Sequence, residues 1–236
     1  QKLSLSEEEE WNYDLQRMED ICKYAVEKNV PLLFDAETSD IQSEIHKQGI
    51  RMMKKFNTSK PHIYTTIQFY RKDSHSQLKS LINNAKKNNY VAGLKLVRGA
   101  YIHDETISNR RHIIHDTKHE TDFSYNRGVD LCIKNHDIIA SFFATHNLDT
   151  VNHIIYNLNK YNIEPFSPYI IIAQMYGMRR DITFNLNNIN VSQFIPYGKK
   201  SFLFPYLVRR GIENSSALGG AKQELLLVKK ELFRRK

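Results

Sequence analysis

The sequence predicts an α/β fold with a parallel sheet, rolled into a barrel. Three observations carry this expectation. Short apolar runs alternate with helical periodicity to give six strand-then-helix units along 236 residues. Polar residues close nearly every run: Asp35, Gln68, Lys95 and Arg98, Thr145 and His146, Gln174. No GxGxxG follows the first run, which counts against the doubly wound, dinucleotide-binding alternative. Active sites of parallel α/β folds lie just past the carboxyl ends of their strands, and a barrel with its site there accounts best for this pattern.

The elements follow in order. Ser6 and the acids Glu7–Glu10 suit a helix start, where the dipole favours negative charge. Trp11, Leu15, Met18, Cys22, Ala25 and Val26 then keep helical spacing, with a stop at Asn29. Residues 31–35 read as a short strand. Ser39 and Gln42 have capping-box spacing, and Ile41, Ile45, Ile50 and Met53 continue the helix. Residues 62–69 form the second strand, and Leu78, Leu81, Ile82 and Ala85 mark the helix after it. The third strand is the segment Gly93-Leu94-Lys95-Leu96-Val97-Arg98-Gly99-Ala100-Tyr101. Residues 102–121 are polar and read as a solvated insertion with a helical piece. Beyond them come a helix at 125–133, a strand at 138–144, a helix on Val151, Ile154, Ile155 and Leu158, and strands at 169–173 and 191–195. A helix carrying Leu203, Leu207, Arg209, Arg210 and Glu213 follows, then a charged helix from about Gly220.

The totals fit one domain over residues 1–236. An apolar fraction of 41% supports a core. No apolar run reaches membrane-spanning length, and the first residues lack the apolar core of a signal peptide. Cys22 and Cys132 lie on helical apolar faces, as buried reduced thiols do. The net charge of +8 is dispersed and no nucleic-acid motif accompanies it, so nucleic-acid binding is not expected. The densest basic cluster, Lys229, Lys230, Arg234, Arg235 and Lys236, alternates with Leu227 and Phe233. It suits a solvated helix face, or an amphipathic end touching a membrane surface. His112, His115 and His119 invite a zinc reading, but no fourth ligand closes a site, and no metal is expected.

Within the third strand, Lys95 interrupts an apolar run, and burying its charge costs several kcal/mol unless it is paired or used. Gly99 permits close approach of a backbone or ligand. Asp35, Gln68, Lys95 and His146 are expected to converge at the barrel mouth, a set that lacks a nucleophile–base pair and suits a bound cofactor better than hydrolysis. Adjacent Arg209 and Arg210, with Glu213 within pairing distance of either, suit bidentate carboxylate recognition or a plain surface ion pair.

The ordered motifs FDAE at 34–37, IQFY at 67–70, KLVRGAY at 95–101, FATHN at 143–147, QMYGM at 174–178, IPYG at 195–198 and PYLVRRGIENS at 205–215 resemble those of the proline dehydrogenase family. The acidic first helix and the long segment after KLVRGAY resemble its eukaryotic, mitochondrial branch. That resemblance implies a distorted TIM-like (βα)₈ barrel holding FAD, in which L-proline is oxidised to Δ¹-pyrroline-5-carboxylate by hydride transfer to flavin N5. It also implies that electrons pass to quinone on the matrix side of the mitochondrial inner membrane. By the same resemblance Asp35 and Lys95 are catalytic. Ala36, Gln68, Lys95, Arg98, Gly99, Ala100, Thr145 and His146 contact FAD, and Leu96, Tyr101, Met175, Phe194, Arg209, Arg210 and Glu213 form the substrate site. Phe194 stands where proline-specific members tend to carry Tyr. Its bulk favours proline over hydroxyproline, while hydroxyproline oxidation and a non-catalytic barrel are the alternatives. Six strands are read where the family has eight. The chain is therefore expected to lack the first two strands, as a fragment or as a barrel completed from elsewhere, with weak or no turnover alone.

Overall fold

The apolar runs become strands laid side by side in the order of synthesis. A computed structural model describes residues 4–216, 225, 229 and 231–235. The strands are β1 (Leu32–Leu33), β2 (Ile63–Gln68), β3 (Ala92–Val97), β4 (Ile139–Ala144), β5 (Ile170–Met175) and β6 (Asn190–Phe194). They form one sheet in the order 1-2-3-4-5-6, with parallel pairing from β1 through β5. A doubly wound sheet reverses its strand order and places helices on both faces. This order never reverses, so right-handed crossovers put the long connecting helices on one face and the sheet curls into a half-barrel. The chain divides into two compact units, Gln1–Gln193 and Phe194–Lys236.

Alternation within the strands builds two cores. Ile63 and Ile67 of β2, Leu94 and Leu96 of β3, Ile139 and Phe143 of β4, and Ile170 and Ile172 of β5 join the helix-side core. That core takes Met52 and Met53 from α2 (Ser39–Phe56), Leu78, Leu81 and Ala85 from α3 (Ser74–Asn88), Tyr125 and Val129 from α5 (Lys118–Lys134), and Val151 and Ile154 from α6 (Leu148–Lys160). The alternate residues Tyr64, Ala140 and Phe142 form a smaller cluster on the concave face, with the Tyr64 and Phe142 rings edge-to-face at 5.0 Å. The amino end of the sheet is tied by buried Asn57. Its amide donates to the carbonyls of Ile63 and Val91 and accepts from the backbone N–H groups of His62 and Ile63.

The structure departs from the sequence expectations at several places. The first helix, α1 (Leu5–Glu27), is capped by Ser4 rather than Ser6, in a capping box with Glu7. The expected Ser39–Gln42 box is absent. Thr38 is the N-cap of α2 without a side-chain cap bond, and Gln42 instead accepts from the Glu37 N–H at 2.7 Å. β1 is only two residues long, and beyond it the last backbone bond to β2 is that of the Phe34 N–H to the Tyr64 carbonyl. The region 102–121 is largely exposed and holds a helical piece, as expected, but α4 (Ile102–Ile107) buries Glu105 within it, and Ile114 bridges Arg71 in antiparallel fashion. A short helix, α7 (Arg180–Asn185), follows β5. α8 (Lys200–Ser216) carries the expected arginines. Most of the helix expected from Gly220 lies outside the described residues, as do Lys230 and Lys236; Arg234 and Arg235 both pair with Glu231.

Candidate active site

Burial alternates along β3, and Lys95 projects to the face opposite Leu94 and Leu96. Its register neighbours across the sheet are Thr66 and Phe142. The Lys95 side chain is 19% exposed, and its ammonium donates at 2.5 Å to Oδ1 of Asp35, whose side chain is 60% exposed. The cost of a half-buried cation is thus offset by one partner at its solvent edge. The loop carrying Asp35 is braced on both sides. Phe34 donates its N–H to the Tyr64 carbonyl and accepts from Thr66 Oγ1, and Glu37 accepts at its carbonyl from Gln68 Nε2 at 2.9 Å. Gln68 therefore acts on the Asp35 loop.

Arg98 lies one residue past β3 and uses its planar fork on three neighbours. Nε donates to Asp122 at 2.5 Å, Nη1 to Thr145 Oγ1 at 3.0 Å and Nη2 to Thr150 Oγ1 at 2.9 Å. Burial works against the charge on Asp122, but hydrogen bonds from Lys118 and Arg98 outweigh it and hold the carboxyl below its ordinary range. The Tyr125 hydroxyl lies within hydrogen-bond reach of the carbonyls of Leu96 and Ala144. The expected Arg98–Thr145 neighbourhood is present, joined by three groups the sequence did not single out: Asp122, Tyr125 and Thr150.

His146 sits just past β4. Its Nε2 accepts from the Met175 N–H at 3.3 Å, and Arg179 donates to its carbonyl at 3.1 Å. Burial first, then Arg179 and Arg98, push the imidazole pKa down, so the ring is neutral near pH 7. With Nε2 accepting, the ring proton sits on Nδ1, which is buried without a hydrogen-bond partner in the protein. A buried donor left so is costly, and an acceptor on a bound group would satisfy it. Flavin supplies such acceptors, and Lys95 adds a cation at the same end of the sheet; the residues present fit that cofactor.

The remaining expected site residues fall as follows. Leu96 is fully buried in the helix-side core, facing away from Lys95, so it does not line a pocket on the concave face. Gly99 has φ +119°, and a Cβ there would lie 1.5 Å from the Tyr70 ring; the close approach it permits is to Tyr70. Ala36 and Ala100 flank these turns, Tyr101 is the N-cap of α4 and Met175 ends β5. In the second unit, Phe194 packs against Tyr206 at 6.0 Å, with Arg210 over the Tyr206 ring. Arg209 and Glu213 lie on α8. Among the described residues no group of three or more His, Cys, Asp or Glu is placed to hold a metal, and no helix is long and apolar enough to cross a membrane.

Together these observations define a class: an α/β half-barrel with paired charges at the carboxyl edge of its parallel strands and, among the described residues, no metal-holding cluster of His, Cys, Asp or Glu. Comparison with known proteins narrows it. The family model described as proline dehydrogenase matches residues 1–223, and the chain belongs to that family. It is 34% identical over 227 residues to the carbapenem antibiotics biosynthesis protein CarD of Pectobacterium carotovorum subsp. carotovorum, covering 95% of this chain and 59% of that protein. To the mitochondrial proline dehydrogenase 1 of Homo sapiens it is 34% identical over 230 residues, covering 94% of this chain and 38% of the relative. The structure of proline utilization A from Bdellovibrio bacteriovorus inactivated by N-propargylglycine superposes with a TM-score of 0.78 at 26% identity, over 88% of this chain and 22% of that one. The chain thus spans between 38% and 59% of the length of the two relatives named.

Proposed function

We propose that this chain forms the carboxyl-face half of a proline dehydrogenase site, within a TIM-like (βα)₈ barrel domain that includes all of residues 1–236. The observation that carries the reading is the Lys95–Asp35 pair at 2.5 Å, which joins β3 to the segment just past β1 in a chain of this family. The reaction removes a hydride from C5 of L-proline and a proton from its nitrogen, giving Δ¹-pyrroline-5-carboxylate. FAD, when bound, supplies the two-electron acceptor, later reoxidised by quinone. Lys95 places a positive charge where negative charge develops during that transfer, and Asp35 keeps the ammonium in position. His146 Nδ1, Thr145, Gln68 and the backbone at Ala36, Gly99 and Ala100 form the cofactor cradle. Family resemblance assigns Arg209, Arg210 and Glu213 to recognition of the proline carboxylate and Phe194 to the substrate ring, and it assigns Tyr101 and Met175 to the substrate pocket, where orientation and exclusion of water would aid the transfer. The mitochondrial names of several relatives support a mitochondrial location, which this reading places at the matrix side of the inner membrane.

The test is the absorbance spectrum of the purified chain with FAD supplied, before and after addition of proline. Loss of the oxidised-flavin band on adding proline supports the reading. Bound flavin that stays oxidised separates an intact cofactor site from a failed substrate site, and absence of flavin binding overturns it for this chain. Phe194 preserves the bulk of an aromatic ring, so kcat/KM is expected to favour proline over 4-hydroxyproline.

A further inference from the structure

Among the described residues Glu105 is the only acid with no solvent exposure. It sits on α4, a six-residue helix directly after the segment that carries Arg98 and Gly99. Its carboxylate reaches back to the start of α2. Oε1 accepts from the Ser39 N–H at 2.7 Å, and Oε2 accepts from Ser39 Oγ and from Arg110 Nε, both at 2.7 Å. Arg110 also bridges to Asp40 at 2.6 Å. A helix start leaves four backbone N–H groups without intrahelical partners. Thr38, the N-cap of α2, satisfies none of them with its side chain. The cap is supplied instead by a residue two strands further along the sheet, and the helix dipole adds to the attraction.

This clamp closes around the candidate site. Asp35 lies between two anchors: Phe34, tied to β2 through Tyr64 and Thr66, and Ser39, tied to α4 through Glu105. Lys95 lies on the strand that leads into α4. We propose that Glu105 is a positioning residue for the Asp35–Lys95 pair: it locks the Asp35 loop to the segment after β3, so that carboxylate and ammonium are held together as one unit. The proposal rests on reading that pair as part of the site.

The experiment measures protection of Lys95 as well as turnover. The full chain is treated briefly with acetic anhydride, and modification of Lys95 is compared by mass spectrometry with that of exposed Lys87 on α3. In Glu105→Gln, Lys95 modification relative to Lys87 is expected to rise about tenfold as the loop opens locally. Ser39→Ala should shift the ratio in the same direction by less, and it decides the matter if Glu105→Gln fails to fold. Asn57→Ala, which breaks a buried polar network at the opposite end of β2, should leave the ratio unchanged. A ratio unmoved in folded Glu105→Gln, or moved equally by Asn57→Ala, overturns the proposal whatever the activity. With FAD and proline, Glu105→Gln is expected to lower kcat while KM stays within about twofold, the signature of a disturbed reacting geometry; a rise in KM alone, with Lys95 still protected, also overturns it. If the unaltered chain binds no flavin, the functional reading fails, and the labelling ratio still decides the role of Glu105.

Discussion

The guanidinium of Arg98 lies 4.4 Å from the centroid of the Tyr125 ring, while its three nitrogens reach Asp122, Thr145 and Thr150. One side chain thereby joins the end of β3 to α5, to the segment after β4 and to α6. A lysine here would keep the charge but lose the planar fork and the stacking. Arg98→Lys is expected to cost about 1–3 kcal/mol of stability, read as a lower urea midpoint with an unchanged m-value. A midpoint equal to that of the unaltered chain would show that the fork contributes nothing beyond charge.

Gly99 combines a left-handed φ of +119° with a Tyr70 ring that occupies the place of a Cβ. Gly99→Ala meets both penalties and is expected to destabilise by roughly 2–4 kcal/mol. Tyr70→Ala in the same chain removes the clash and leaves the backbone strain. The double variant should therefore recover only part of the loss expected from Gly99→Ala, after allowing for the cavity that Tyr70→Ala itself leaves.

Three histidines carry a sign that can be tested. Burial pushes His46, His75 and His146 below the ordinary value of 6.5. Below pH 6.5 the unfolded chain takes up protons that the folded chain does not, so their contribution is full above that value and is lost as pH falls through the lowered native pKa values. Stability is expected to decline on acidification from pH 7.5 to 5.5, by at most about 1.4 kcal/mol per pH unit for each histidine. His46→Gln should flatten the slope of urea midpoint against pH; an unaltered slope would remove His46 from the account.

Burial also governs the thiols. Cys22 is pushed up to about 11, mainly by burial with a smaller effect of Glu19, and burial pushes Cys132 up to about 12. Neither offers thiolate near neutral pH. A disulfide-exchange reagent should find no fast-reacting thiol in the folded chain and two after denaturation. A rapid native phase would mean that the helix packing over Cys22 or Cys132 opens readily.

The strands and their terminal polar residues were legible because period-two burial and breaks in apolar runs leave marks in the sequence. Lys95 was conspicuous as a charge inside such a run, and Asp35 as the polar end of another. Glu105 was not, since it lies in a polar stretch and its partner Ser39 is 66 residues away; only tertiary structure makes it a cap. The rest of that stretch is largely exposed, as its polarity predicts, and Glu105 is buried within it through hydrogen bonds to α2 rather than through apolar packing. Leu96 was placed in a pocket by family resemblance, yet adjacent residues of a strand face opposite sides, and Leu96 faces away from Lys95 into the helix-side core. α7 escaped notice because it is short and begins after Arg179 in a left-handed conformation.

The unreversed strand order also bears on how the chain assembles. Tyr64 pairs with Gly93 and Ala92 with Ile139, so each strand finds its partner in the unit made just before it. As the chain leaves the ribosome, the sheet can grow one hairpinless step at a time, with its newest strand as the only template for the next. Asp35 has therefore emerged, and the strand beside it has been laid, before Lys95 arrives. The charge that would be most awkward to bury meets a carboxylate already waiting for it.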